Sequence, residues 1–296
     1  LNPPRRFAIW ANTAKATFWD TLPGIMSWAD ERGLEVFFTT RIVNSLDDPG
    51  RYRHKVIRTA DDFSRMDFVL ALGGDGTILS AARAIAHRQV PILGIHLGDL
   101  GFLAKVTLSD LYTRLNQVAR GNYTLELRMT LRGNIVNGDQ SKTYTALNDF
   151  VIDNGDTHRM LTCQLLADNR FVGKYKADGI IIATPTGSTA YSLAAGGPIV
   201  APGVSSIVIT PICPHTLTSR PLVLPDSSVV EIVFPEILDG AGIMVDGQIE
   251  EPLRNESRVM IQKADYEIAF ITFEDTSYFQ TLRTKMGWGR RGDLDS

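Results

Sequence analysis

Residues 67–87 read DFVLALGGDGTILSAARAIAH, and the fold of the first third of the chain turns on them. After Asp67 comes an unbroken apolar run, Phe68 to Leu72, the pattern of a strand buried on both faces rather than one half in water. Gly73, Gly74 and Gly76 follow, and from Thr77 to His87 apolar residues recur at helical spacing. Upstream, Phe7–Trp10 reads as a short strand, about Thr13 to Arg32 as a helix interrupted near Pro23 and Gly24, and Leu34–Thr39 as a second strand. Downstream, Pro91–Ile95 resumes a strand, and a helix from about Leu108 to Ala119 stops at Gly121. Near-continuous apolar strands separated by helices indicate a parallel sheet covered on both faces.

Beyond Gly121 the rhythm changes. Tyr123–Val136, Thr143–Ile152, Leu161–Ala167, Ile180–Thr184, Ile207–Ile212, Val229–Phe234, Ile243–Asp246 and Val259–Lys263 all read as strands. Turn residues at Asn137-Gly138, Asp153-Asn154-Gly155 and Asp239-Gly240 punctuate them, and only Ser188–Ala195 reads as helix. The expected fold class is therefore α/β. An N-terminal three-layer, Rossmann-like α/β domain over 1–120 is joined by the tail 269–296, and a β-rich, β-sandwich-like domain spans 121–268. In the tail, Tyr278–Leu282 reads as a short helix and Arg290–Ser296 as a frayed end.

Composition narrows the function. Of 296 residues, 44% are hydrophobic and 21% charged, the balance of a chain with a real core rather than a disordered one. Thirty basic against 33 acidic side chains leave a net charge of −3, so no bulk charge draws it to nucleic acid or an anionic membrane. The polar, Pro-rich start lacks the apolar stretch of a secretory signal. Residues 179–219 contain no Asp, Glu, Lys or Arg, yet Pro185, Pro198, Pro202, Pro211 and Pro214 break any spanning helix. Those residues read as buried turns and strands. The two cysteines, Cys163 and Cys213, build neither a disulfide framework nor a metal pair and suit the reducing cytoplasm.

Three stretches can carry chemistry. In Gly73-Gly74-Asp75-Gly76-Thr77, glycines allow the backbone to approach a ligand closely, and the helix start offers free N–H groups to a phosphate. Thr77 either caps the helix or binds a phosphate oxygen. An aspartate among such donors opposes an anion, so it serves as a proton acceptor, as a partner of a divalent cation, or as a plain helix cap. Neither the P-loop nor the GxGxxG pattern is present. Asp178–Ser192 runs from a strand into a turn rich in Gly and hydroxyls, where Tyr191 offers an aromatic face; it is either a polyol and base site or a self-satisfied corner. Asn148-Asp149 lies in an otherwise apolar strand, where buried polar groups need partners: a ribose diol or a neighbouring turn.

Together these residues resemble one family, the NAD kinases of bacterial type, over nearly the whole chain. Gly73–Thr77 alone is shared with diacylglycerol, sphingosine and phosphofructo-type kinases. Gly98–Leu103 (GDLGFL), Leu147–Asp149, Asp178–Pro198, Pro214–Leu217 and Asp246–Gln248 narrow it. The resemblance implies transfer of the γ-phosphate of ATP to the 2′-hydroxyl of the adenosine ribose of NAD, with Mg²⁺ bridging ATP oxygens and few direct protein ligands. It makes Asp75 the proton acceptor, as base, metal partner or both, with Gly73, Gly74, Gly76 and Thr77 around the phosphates. Asn148, Asp149, Asp178, Lys176 and Arg159 are expected to hold NAD. Thr189, Ala190, Tyr191, Ser192, Leu193 and Ala194 wrap its adenosine half, and Phe102 and Gln248 complete the wall. A homodimer or homotetramer through the β-rich domain is implied, and polyphosphate remains an alternative donor.

Three positions depart from the family pattern. Asp149 stands where many members carry glutamate, Lys176 where arginine is common, and His96, read as a packed or capping residue, where asparagine is frequent. A lipid kinase would need an acyl tunnel where Asp178–Pro198 offers polar turns. A non-catalytic nucleotide sensor would not need Asp75.

Overall fold

The computed structural model describes residues 3–98, 100–155, 160–236 and 240–288; the Arg290–Ser296 end, Asp239 and Arg159 lie outside them. The chain divides into two compact units, residues 1–127 with 268–296, and residues 128–267.

In the first unit, strands β1 (Arg6–Ala11), β2 (Glu35–Thr39), β3 (Lys55–Ile57), β4 (Phe68–Gly73) and β5 (Ile92–His96) pair in parallel in the order β3-β2-β1-β4-β5. The strand order reverses between β1 and β4, the place where an open α/β sheet leaves a crevice at its carboxyl edge. One face carries Phe7, Ile9, Val36, Phe38, Phe68, Leu70 and Leu72 against α1 (Ala16–Asp30) and α4 (Leu111–Ala119). The other is small where α3 (Asp75–Ile85) packs: Ala71 sits opposite Gly94, where a Cβ would lie 2.6 Å from Ile78 of that helix. That smallness lets α3 lie close on the sheet, completing three layers.

The expected break in the first helix does not occur. Helix α1 runs through Pro23. An interior proline costs about 3 kcal/mol, but Phe18 and Leu22 before it and Ile25, Met26, Trp28 and Ala29 after it are all buried, at roughly 1.5–3 kcal/mol for each large side chain. Burial wins. A short helix, α2 (Thr40–Asn44), and strand β3 were not legible in the sequence.

The second unit is a β-sandwich. One sheet runs β10 (Arg170–Ala177), β9 (Leu161–Ala167), β14 (Val230–Val233) and β17 (Arg258–Thr272), all antiparallel, with β6 (Thr124–Asn137) and β7 (Gln140–Ala146) attached. The other runs β13 (Leu222–Pro225), β12 (Ser206–Ile212), β11 (Gly179–Ala183), β8 (Asp149–Asp153), β15 (Gly242–Val245) and β16 (Ile249–Pro252). Alternate residues of both sheets, Leu131, Leu165, Val230 and Ile261 from one and Phe150, Ile180, Ile209 and Ile243 from the other, form the core between them. Val151, Ile181, Ala183 and Val208 pack on the far face with Val200. Strands buried on both sides explain the uncharged run from 179. No helix of the described residues is long and apolar enough to cross a membrane.

The single strand expected over Thr143–Ile152 is two, β7 and β8, in different sheets. Between them the N–H groups of Leu147, Asn148 and Asp149 turn to the Asp246 carboxylate instead of a neighbouring strand.

Candidate active site

At the carboxyl edge of the parallel sheet, β4 ends at Gly73 and α3 begins at Asp75, so Asp75, Gly76 and Thr77 form the first helical turn. Gly73 is required by packing, because a Cβ there would meet Thr77 Oγ1 at 2.1 Å. Gly74 is different: nothing lies within 4 Å of where its Cβ would be. It borders open space at the amino end of a helix, where the positive end of the dipole favours an anion.

Asp75 does not cap its own helix. Its carboxylate accepts from Phe102 N–H at 2.8 Å and from Leu103 and Ala104 N–H at 3.1 Å each. The 97–106 stretch that supplies them is tied to the sheet edge. Leu97 N–H donates to Gly73 O at 3.2 Å, His96 N–H to Val106 O at 3.0 Å, and Lys15 Nζ to Leu97 O at 2.6 Å. His96 Nδ1 lies 2.7 Å from Gly98 O, so this ring steadies the loop, as a capping residue does.

Beside α3 the same unit holds a cavity of about 480 Å³ at the ends of β1, β2 and β3. Trp10 and Phe63 supply apolar faces, and Arg41, Arg58 and Arg83 supply three positive charges; no carboxylate is among the described lining residues. Trp10 Nε1 donates to Ser80 Oγ at 2.9 Å, which fixes the indole. Aromatic faces next to guanidinium groups suit a base with attached phosphates.

The second unit gathers the polar corner. Thr184 N–H donates to Asn148 O at 2.8 Å and Thr184 Oγ1 to Leu147 O at 2.6 Å. The turn lies so close to Asn148 that a Cβ on Gly187 would sit 2.1 Å from Asn148 O. Within it, Ser188 Oγ bonds Pro185 O, Thr189 Oγ1 bonds Thr186 O, and the Ser192 and Thr210 hydroxyls pair at 2.8 Å. These hydroxyls hold the corner together, while Tyr191 stands exposed beside it. Tyr191, Asp178, Asp153 and Cys213 line a cavity of about 430 Å³.

Asp149 is 4% exposed. Burial, reinforced by the neighbouring Asp246 charge, pushes its carboxyl up to about 7. The Asp246 carboxylate accepts from Asn148 N–H at 2.7 Å, Leu147 N–H at 3.0 Å and Asp149 N–H at 3.2 Å.

A phosphate-type helix start carrying a carboxylate, and a polar corner with a buried acid, agree with what similar proteins are. Residues 7–123 match the model of the ATP-NAD kinase N-terminal domain and residues 147–273 that of the ATP-NAD kinase C-terminal domain. The chain belongs to the NAD kinase family. The NAD kinase of Koribacter versatilis is 39% identical over 285 residues, 96% of this chain and 98% of that one. That of Syntrophotalea carbinolica is 39% identical over 268 residues, 90% and 93% of the two chains. Among solved structures, yeast NADH kinase complexed with NADH superposes with a TM-score of 0.91 at 26% identity, covering 100% of this chain and 91% of that. An Archaeoglobus fulgidus NAD kinase in complex with ATP shares the fold at a TM-score of 0.74 and 22% identity, covering 95% and 98%.

In this NAD kinase the anticipated residues fall into two groups. Gly73, Gly74, Asp75, Gly76, Thr77 and Phe102 belong to the first unit; Asn148, Asp149, Lys176, Asp178, Thr189–Ala194 and Gln248 belong to the second. Lys176 and Gln248 are exposed, and Arg159 lies outside the described residues. Sequence reading missed the arginine cavity, the 102–104 amides and the amide cradle of Asp246. Arg41, Arg58 and Arg83 are scattered along the chain and meet only because the segments that follow β2 and β3 converge beside α3. Backbone amides carry no residue signature at all.

Proposed function

We propose that this chain transfers the γ-phosphoryl group of ATP to the 2′-hydroxyl of the adenosine ribose of NAD, yielding NADP and ADP. The family membership carries the reading, and Asp75 on its glycine turn is the site feature that fits it. A bond forms between the ribose oxygen and the γ-phosphorus as the bond to the bridging β–γ oxygen breaks. The ribose proton passes to the Asp75 carboxylate, since a sugar hydroxyl with a pKa far above 7 gains from an acceptor within hydrogen-bond reach. Positioning and charge neutralisation supply most of the acceleration in such a loose transition state.

The donor's phosphates belong at Gly73, Gly74, Gly76 and Thr77, with the arginine cavity of the first unit taking the donor's base and outer charges. Asn148, Asp149, Asp178 and Lys176 hold the dinucleotide's ribose and base groups, and the Thr189–Ala194 turn presents Tyr191 to it. Phe102 of the first unit and Gln248 of the second are further assigned to nucleotide binding. Among the described residues no three His, Cys, Asp or Glu side chains gather into a metal site. A bound Mg²⁺ would be held chiefly by ATP itself, with Asp75 as the carboxylate at the glycine turn, and would supply neutralisation of the phosphate charge. We place the enzyme in the cytoplasm as a homodimer or homotetramer, which light scattering tests.

The decisive experiment mixes the purified chain with NAD, ATP and Mg²⁺ and detects NADP with an NADP-specific dehydrogenase. NADP formation is expected. Folded protein that binds both nucleotides without forming NADP, with polyphosphate as donor too, would overturn the reading.

A further inference from the structure

The three amides on Asp75 are not evenly shared. Phe102 N–H donates to Oδ2 at 2.8 Å, whereas Leu103 and Ala104 N–H both donate to Oδ1 at 3.1 Å. Each carboxylate oxygen has about two lone-pair sites. Oδ1 is filled, and Oδ2 keeps one position open.

The cradle is fixed at both ends. Ile95 bridges Val106 in parallel, His96 N–H reaches Val106 O, and Leu97 is bonded from both sides by Gly73 O and Lys15 Nζ. Close approach to the carboxylate depends on Gly101, where a Cβ would lie 1.9 Å from Oδ1 and 2.6 Å from the carboxyl carbon. No rotamer change of residue 101 could relieve that contact, because a Cβ is fixed by the backbone.

We propose that the Gly101–Ala104 backbone is the positioning element of the proton acceptor, with Gly101 as its essential positioning residue. It anchors Asp75 through Oδ1 and leaves Oδ2 as the oxygen that takes the ribose proton. The inference rests on the NAD kinase reading above. A displacement of about 1 Å in a reacting group can cost about 100-fold in rate, and a cradle of backbone amides resists it better than a side chain with rotamers of its own. After the transfer Oδ2 carries the proton, Oδ1 still accepts both N–H groups, and the group is reset when that proton leaves with product.

Steady-state kinetics on the full chain test this. Gly101→Ala should lower kcat about 100-fold while KM for NAD and for ATP stays within about threefold. In an Asp75→Asn background the same substitution should cost almost nothing more, because the group it positions is already gone. Wild-type kcat for Gly101→Ala, or an undiminished 100-fold loss in the Asp75→Asn background, overturns the proposal. Should Gly101→Ala not fold, amide hydrogen exchange at Phe102, Leu103 and Ala104 decides: Asp75→Ala should speed it at least about tenfold, and unchanged protection overturns the cradle. Failure of the parent reading looks different, since Asp75→Asn alone would then turn over like wild type.

Discussion

Two carboxylates in this molecule are held by the same device in different surroundings. Asp75, in the first unit, receives three successive backbone N–H groups from residues 102–104. Asp246, in the second, receives three successive N–H groups from residues 147–149, again one on one oxygen and two on the other. Asp246 is buried within a β-sandwich, while Asp75 is half-buried at the open edge of a parallel sheet. If Asp75 is the proton acceptor we propose, the cradle alone does not make one. Access would, and bonds that orient a base at a sheet edge would act as a structural staple inside a sandwich.

The sharpest break in that comparison is Asp75→Asn. Turnover should fall about 10²- to 10⁴-fold, the range for losing a general base, with the unfolding midpoint nearly unmoved. Asp246→Asn should do the reverse in kind: it leaves buried amides poorly paired and should cost about 1–3 kcal/mol in denaturant unfolding. An Asp246 variant as stable as wild type would show that its three amides need no partner.

A finer cut separates the two glycines before Asp75. Gly74→Ala meets nothing within 4 Å, so thermal stability should hold, yet the new methyl occupies the space assigned to a donor phosphate. KM for ATP should rise about tenfold, roughly 1.4 kcal/mol of lost binding, and an unchanged KM would move the phosphates elsewhere.

The first unit was far more legible than the second, and the reasons are physical. Strand β4 is apolar throughout and its glycines have no other use, so strand, turn and helix announce themselves. The unforeseen strands β10, β13 and β16 have exposed faces, and Lys174 and Lys176 on β10 or Glu250 on β16 hide a strand inside a polar stretch. Asp75 could be picked out as a charge among phosphate-type donors. Its cradle could not, because amides 27 to 29 residues away have no side-chain signature. The split of β7 from β8 was hidden for a like reason: the carboxylate that turns the chain at Leu147–Asp149 comes from residue 246.

The gentlest prediction concerns Asp149, the buried acid beside that staple. Its ordinary value is 3.8, and burial with the Asp246 charge raises it to about 7 in the folded protein. Between about pH 4 and 7 the native chain then keeps a proton that the unfolded chain has released. Stability accordingly falls as pH rises through that window. The contribution is fully present below about pH 4, declines through pH 7 and is flat beyond it. Other groups titrate over the same range, so the useful quantity is the difference between wild type and Asp149→Asn, which removes the charge at nearly constant shape. From pH 5 to pH 8 the wild-type midpoint should drop a few degrees more than that of the variant, on the order expected for one buried acid in a chain of this size. Parallel curves would mean that Asp149 ionises in the fold as readily as it does in water, and the contrast between a buried and an accessible carboxylate would then rest on Asp246 alone.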